Sequence, residues 1–199
     1  KMHPNVPIVI TNFQTAEMIK YANNSFLATK ISFINQLSNI CQNIPGTNID
    51  DIAKIIGLDS RIGKLFLNAG PGYGGSCLPK DISALINFAD KIGVKPILLN
   101  AVKKTNHEQM NNIVSLVKKI LGGIASKRIT ILGTAFKPNT DDIRDSKSIE
   151  LIKKLLKNKA KIIIHDPKAI ENTKKIFGEK ILYAKSISDA LNKSQCVII

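Results

Sequence analysis

Along residues 15–44, TAEMIKYANNSFLATKISFINQLSNICQNI, apolar side chains return every three or four positions with no glycine or proline between them. Met18, Ala22 and Phe26, then Ile31, Ile34, Leu37 and Cys41, form one stripe. That period predicts a long amphipathic helix, capped by Thr15 and stopped by Pro45-Gly46. NIDDIAKIIGLD predicts a second helix from Asn48 to Gly57. DISALINFADKIG predicts a third, opening near Asp81 and closing at Gly93. PILLNAVKKTNHEQMNNIVSLVKKILGG predicts a long fourth, opened by Pro96 and ended by Gly122-Gly123. Its stripe of Leu98, Val102, Ile113, Leu116, Val117 and Ile120 is expected to pack on the first helix or on a second copy of the chain.

From Lys127 the pattern changes. KRITILG, AKIIIHDP, KILYA and QCVII are short apolar runs of strand length, separated by the helical segments KSIELIKKLLKNK, AIENTKKIFG and SISDALNKS. Strands alternating with helices predict a parallel sheet. The fold class expected is therefore α/β: an all-helical region over residues 1–126, then a partial Rossmann-like parallel α/β domain over residues 127–199. The chain opens a few residues before a long helix and stops within its last strand, which reads as a piece of a larger protein.

Composition narrows the classes. The chain has 199 residues, 44% hydrophobic and 22% charged, the balance of a globular protein. No apolar run approaches the roughly 20 residues of a membrane span, and KMHPNVPIVI lacks the pattern of a signal peptide. Cys41, Cys77 and Cys196 are odd in number and far apart, which argues against a disulfide framework or a metal site and for a reducing, cytoplasmic setting. The net charge of +14 would attract polyanions, but the lysines are scattered over helix faces without interleaved aromatics, so neither a nucleic acid nor a membrane is expected as partner.

The chemistry concentrates in NAGPGYGGSCLPKD, Asn68 to Asp81. Gly70, Gly72 and Gly75 match G-x-G-x-x-G, but no strand precedes them, and Leu78-Pro79 is expected to interrupt a helix at the third glycine. A phosphate-binding P-loop fails as well, because Ser76 stands where a lysine is required. Gly74 and Gly75 are instead expected to let backbone N–H groups approach a ligand closely. Cys77 lies ahead of a helix and near Lys80, a setting in which cysteines act as nucleophiles. Cys41 and Cys196, on apolar faces, read as packing residues, and His107 as a surface residue. Asp166 ends a strand where a ribose-binding acid could stand, but no glycine fingerprint follows the strand ending at Gly133, so it is not assigned that role.

FLNAGPGYGGSCLPKDISAL closely resembles the active-site segment of the UDP-glucose 6-dehydrogenases, within the UDP-glucose/GDP-mannose dehydrogenase superfamily. TAEMIKYANNSFLATKISFIN, DSRIGKLFL and LGTAFKPNTDDIRDS resemble further segments of that family in the same order. Ser76 before the cysteine is similar to the UDP-glucose branch, with GDP-mannose relatives the alternative. The resemblance implies three parts: an N-terminal NAD domain, a central dimerising helical domain and a C-terminal nucleotide-sugar domain. This chain matches the second and most of the third.

The resemblance also implies a reaction, oxidation of a UDP-sugar at C6 by two NAD through a sulfur-bound intermediate. Cys77 matches the nucleophile, Lys20 and Asn24 the pair near the reacting oxygen, and Asp81 the residue assisting water and proton transfer. Asp81 by itself would read as a helix N-cap. Arg61, reaching across a homodimer, with Phe66, Gly74 and Lys137, matches substrate contacts, and Lys80 and Arg144 match residues near NAD. Without the resemblance Phe66 would read as a core aromatic and the lysines and arginines as solvated surface charges. No metal is implied.

Overall fold

The computed structural model describes residues 6–199. Four helices come first: α1 (Phe13–Cys41), α2 (Ile49–Ile56), α3 (Leu78–Lys91) and α4 (Ile97–Leu121). Asn12 caps α1, its side chain accepting from the Thr15 N–H at 2.8 Å, so Thr15 is the capped donor and not the cap. The third helix begins at Leu78 and not at Asp81, with Cys77 at its N-cap. Pro79 does not interrupt it: in the first turn the missing N–H would have had no helical partner anyway.

The face that α1 buries differs from the apolar stripe. Ser25, Ala28, Ser32, Ile34 and Asn35 are buried, whereas Met18 and Phe26 are 44% and 63% exposed. Small side chains let α3 and α4 approach α1 closely around Ala28, Tyr73, Ile82, Ile86 and Val102. In α4, Val102 and Val117 are buried as the pattern predicts, but Leu98 and Ile120 remain exposed. The buried face turns instead through Asn106, Gln109, Met110 and Val114. Two polar positions therefore sit where the apolar period has a gap.

The second portion runs β1 (Arg128–Leu132), α5 (Lys147–Lys157), β2 (Lys161–His165), α6 (Ile170–Phe177), a short 3-10 turn (Gly178–Lys180), β3 (Leu182–Tyr183), α7 (Ile187–Leu191) and β4 (Cys196–Ile198). All strand pairings are parallel, in the order β3-β2-β1-β4. Ile129 and Ile131 of β1 pair with Ile162 and Ile164 of β2, and all four are buried against Ile152 and Leu155 of α5. Met110, Val114 and Val117 of α4 belong to this same core, so one helix serves both portions. The strand order reverses beside β1, and ligands of open α/β sheets bind at such a reversal, beyond the C-terminal ends of the strands. The segment leaving β1 there, residues 133–146, carries Lys137 and Arg144.

That segment is pinned by Asp166, which is 5% exposed. Its carboxylate accepts from the backbone N–H groups of Thr134 (2.7 Å), Ala135 (3.2 Å), Lys168 (2.8 Å) and Ala169 (2.7 Å). Burial pushes the carboxyl up; the four N–H donors outweigh it and hold it below the usual carboxylate range. A carboxylate so engaged has no capacity left for a ribose. Thr134 is held further by Ser146, whose hydroxyl donates to its carbonyl at 2.7 Å, and by the Thr173 hydroxyl at 3.0 Å.

Asp166→Asn would set amide hydrogens against buried N–H groups. We expect a loss of about 3 kcal/mol or more in urea unfolding at neutral pH. A loss below about 0.5 kcal/mol, within the range of ordinary surface changes, would show that the segment is held by other contacts.

Candidate active site

The glycine-rich segment crosses from α2 to α3 without secondary structure, and buried amides fix its course. Asn35 of α1 accepts from the Gly70 N–H at 2.7 Å, and Gln109 of α4 donates to the Gly70 carbonyl at 2.9 Å. Asn106 accepts from the Tyr73 N–H at 2.8 Å and donates to the Tyr73 carbonyl at 3.1 Å, as a neighbouring strand would. These three residues were missed in the sequence. The available signal was polarity inside a buried stripe: Asn106 lies four residues after Val102, where an apolar residue is due.

Gly74 and Gly75 bring the segment onto the loop that follows β1. A methyl on Gly74 would run into the Asp145 carbonyl oxygen, and one on Gly75 would lie 2.6 Å from the Phe136 ring. Gly75, at φ +77°, also directs its N–H to the Asp145 carbonyl at 3.4 Å. The close approach these glycines permit is thus made to the chain's own backbone and aromatic ring. The G-x-G-x-x-G run forms no strand-to-helix turn.

The loop ends on Cys77, which is exposed at the start of α3. Asp81 stands one helical turn on, its N–H donating to the Cys77 carbonyl at 2.9 Å. Asp81 is a first-turn residue and not the N-cap, and it is 1% exposed. Asn24 Nδ2 donates to its Oδ2 at 2.6 Å, and Lys20 Nζ stands 3.7 Å from the same oxygen. Lys80 Nζ lies 3.5 Å from Oδ1, which has no hydrogen-bond partner among the described residues and so keeps acceptor capacity. Lys20 and Asn24 are four residues apart on one face of α1, so a single helix presents both. Burial pushes the Asp81 carboxyl up; the Asn24 hydrogen bond and the Lys20 and Lys80 charges outweigh it and hold the carboxyl below the usual range. At neutral pH it is therefore a carboxylate.

The remaining expected residues fall into two groups. Gly74, Lys137 and Arg144 lie on or against the loop after β1, with Lys137 Nζ 5.3 Å from the centre of the Phe136 ring. Arg144 lines a cavity of about 500 Å³ together with Tyr73, Gly74, Pro79 and Lys147, and Cys77 and Asp81 do not line it. Arg61 and Phe66 are not drawn into the Asp81 cluster. Arg61 pairs with Asp59, at 2.6 Å from Nη2 to Oδ2, and Phe66 is 43% exposed at φ +65° and is no core aromatic. His107 is exposed. Burial pushes the Cys196 thiol up, which agrees with a packing role. Among the described residues no three His, Cys, Asp or Glu side chains gather as a metal site, and no helix is long and apolar enough to cross a membrane.

A helical portion that delivers a thiol loop onto a parallel α/β portion defines a recognisable class. Residues 14–108 match the central domain of the UDP-glucose/GDP-mannose dehydrogenase family, and residues 130–199 match its UDP binding domain. The chain belongs to that family. It is 45% identical over 193 residues to the UDP-glucose 6-dehydrogenase of Rickettsia felis, covering 96% of this chain and 43% of the relative. It is 46% identical over 195 residues to the UDP-glucose 6-dehydrogenase AglM of Haloferax volcanii, covering 98% and 45%. The chain therefore spans less than half the length of these relatives. A UDP-glucose dehydrogenase structure from Pyrobaculum islandicum superposes with a TM-score of 0.93 at 36% identity, over 98% of this chain and 45% of that one. A UDP-D-ManNAc dehydrogenase from Pyrococcus horikoshii, at 21% identity and a TM-score of 0.80, shares the fold, over 97% of this chain and 43% of that one.

Because its carboxyl is lowered, Asp81 contributes stability that is present above the unfolded value near about pH 4 and is lost as pH falls through the folded value. The stability gap between wild type and Asp81→Asn, followed by urea unfolding, should therefore close on acidification below about pH 4. A gap that stays constant down to about pH 2 would mean that the Lys20–Asn24–Lys80 setting does not act on a carboxylate.

Proposed function

We propose that the chain is the central and nucleotide-sugar portion of an NAD-dependent UDP-glucose 6-dehydrogenase, which converts UDP-glucose to UDP-glucuronate through a sulfur-bound intermediate. One observation carries this reading. An exposed thiol stands at the start of α3, one turn before a buried carboxylate that gathers Lys20 and Asn24. The family also covers GDP-mannose, but the relatives named for UDP-glucose favour that substrate.

An aldehyde waiting between two oxidations needs a reversible covalent hold. The Cys77 thiolate adds to the C6 carbonyl carbon; a C–S bond forms, and the carbonyl oxygen becomes an alkoxide that takes a proton to give a thiohemiacetal. Lys20, 61% exposed, and Asn24 supply N–H donors to that oxygen as charge develops on it. Bound NAD, two molecules in turn, supplies the hydride acceptor for the two oxidations. Lys80 and Arg144, exposed cations flanking the loop, fit its phosphates and would hold them. Loss of the hydride from the thiohemiacetal carbon and of its hydroxyl proton to solvent leaves a thioester on Cys77. Water then adds to that carbon, the Asp81 carboxylate takes the water's proton, the C–S bond breaks, and Cys77 departs as thiolate.

Lys137, Phe66 and Gly74 are the proposed contacts to the nucleotide sugar, and Arg61 is proposed to serve the site of a second copy. Ile19, Phe26, Phe33 and Ile40 recur at seven-residue intervals along α1 and are 54%, 63%, 50% and 50% exposed. A heptad line of that kind forms a helix–helix seam, so we propose a homodimer through α1. The reading is of a cytoplasmic enzyme, where free thiols stay reduced.

Calorimetry with UDP should show saturable binding, weakened about tenfold by Lys137→Ala and unaltered by Cys77→Ser. No binding at millimolar UDP would count against the nucleotide-sugar role. Sedimentation at micromolar concentration should give a dimer, and the double variant Phe26→Asp, Phe33→Asp a monomer; a wild-type monomer would remove the α1 seam. Incubated with UDP-glucose and NAD, these 199 residues should form no NADH. NADH growing with time would show that they are sufficient for turnover.

A further inference from the structure

Along the chain the lysines look scattered; the parallel sheet gathers them. β1, β2 and β4 run the same way, so their starts share one end of the sheet, opposite the end from which the loop with Lys137 and Arg144 departs. Backbone hydrogen bonds tie that end together. The Lys161 N–H donates to the Lys127 carbonyl at 2.8 Å, the Ser126 N–H to the Lys159 carbonyl at 2.8 Å, and the Gln195 N–H to the Arg128 carbonyl at 2.9 Å. Arg128 Nη1 donates to the Asn192 carbonyl at 3.3 Å, next to Lys193. Lys127, Arg128, Lys159, Lys161 and Lys193 thus form one basic patch. Lys118 and Lys119, in the last turn of α4, and Lys157, in the last turn of α5, flank it.

No acid balances the patch. Residues 109–140, 151–165 and 190–199 contain neither aspartate nor glutamate. Among the described residues none of these lysines, nor Arg128, is in an ion pair. Glu179 and Lys180, just ahead of β3, offset each other at its margin. A lysine in a last helical turn complements the helix dipole, which accounts for Lys118, Lys119 and Lys157 without any partner. It does not account for Lys159 and Lys193. Both take left-handed backbone, at φ +62° and +57°, where glycine or asparagine costs less. Strain kept at two surface positions for the sake of a charge motivates a functional reading.

We propose that this end of the sheet docks on an anionic lipid surface. Lysines close to a negatively charged bilayer are attracted to it singly and additively. Two aliphatic side chains complete the patch. Ile120, 67% exposed, stands next to Lys119 on α4, which covers one face of the sheet. Leu191, 41% exposed, ends α7, which covers the other face. Aliphatic groups on both sides of a lysine cluster can enter the boundary between headgroups and acyl chains. A nucleic acid fits less well. Residues 118–128, 157–161 and 191–195 hold no aromatic ring to stack on a base, and Arg128, the one arginine among them, is already bonded to backbone. The contact is peripheral, and it leaves the loop carrying Lys137 and Arg144 directed away from the bilayer. The expectation of no membrane partner rested on the scatter of lysines in the sequence, which the fold removes.

The test is co-sedimentation of the 199-residue chain with lipid vesicles. At about 0.1 M salt it should bind phosphatidylcholine vesicles carrying about 30% phosphatidylglycerol, and not phosphatidylcholine alone. The double variant Lys159→Asn, Lys193→Asn should lower the partition about twentyfold, at about fivefold per lysine. Asparagine suits left-handed backbone, so the urea midpoint of this variant should match or exceed that of wild type. Lys91→Asn with Lys103→Asn removes the same charge from the helical portion and should change the partition by less than about twofold. Ile120→Ser should weaken vesicle binding by about threefold. Absence of binding to the anionic vesicles would overturn the inference. Equal losses in the two double variants would assign the attraction to overall charge and not to this patch, and the inference fails. If Ile120→Ser binds as wild type does, no side chain enters the bilayer and the lipid assignment falls. If a single-stranded RNA of about 20 nucleotides displaces the vesicles, and its own binding drops in the Lys159, Lys193 variant, the patch serves a nucleic acid and the inference also fails.

Discussion

Two stretches of backbone touch where side chains would keep them apart. Gly74 and Gly75 meet Asp145 and Phe136, and that contact brings the thiol loop of the helical portion to the loop leaving β1. Everything chemically suggestive lies on one or the other side of it. Cys77, Lys80 and Asp81 follow from the first loop, and Lys137 and Arg144 belong to the second. Each loop is rigid for its own reason. Amides on α1 and α4 hold the first by pairing with its peptide groups, and Asp166 holds the second by gathering four N–H donors.

Polar atoms buried in this way are costly unless paired, and most of them here are. The carboxylate of Asp81 is the instructive case. It takes Asn24 and Lys20 on one oxygen and Lys80, without hydrogen-bond geometry, on the other. The arrangement keeps a buried acid ionised while leaving one of its oxygens free to accept a hydrogen bond. Such half-satisfied polar groups are common where chemistry is done and rare where only packing is needed.

Element types were largely legible in the sequence because period and punctuation agree. Asn48 and Gly57 bound α2, Pro96 and Gly122 bound α4, and the β-branched runs became strands. Two things were hidden. The start of α3 was misjudged because Pro79 looks like a breaker, although a proline in a first turn obstructs nothing. The buried faces of α1 and α4 were misjudged because the apolar period marks what is hydrophobic, not what is enclosed. Ser25, Ser32, Asn35, Asn106 and Gln109 are enclosed, and Phe26 and Ile120 are not. At the candidate site, the loop carrying Cys77 stood out by composition, and the meeting of Lys20 and Asn24 with Asp81 was anticipated only through the resemblance. The basic end of the sheet was invisible until the topology aligned the starts of the strands.

The long helix α4 has its first half against the thiol loop and its second half in the core beneath the sheet. It works as a beam resting on two supports. Severing the polypeptide after Ser126 would strip Met110, Val114 and Val117 of the isoleucines they cover and leave that hydrocarbon wet on both fragments. Neither half would then be a self-sufficient unit, and any shift in the sheet's packing would be felt at the peptide groups that lead to the sulfur.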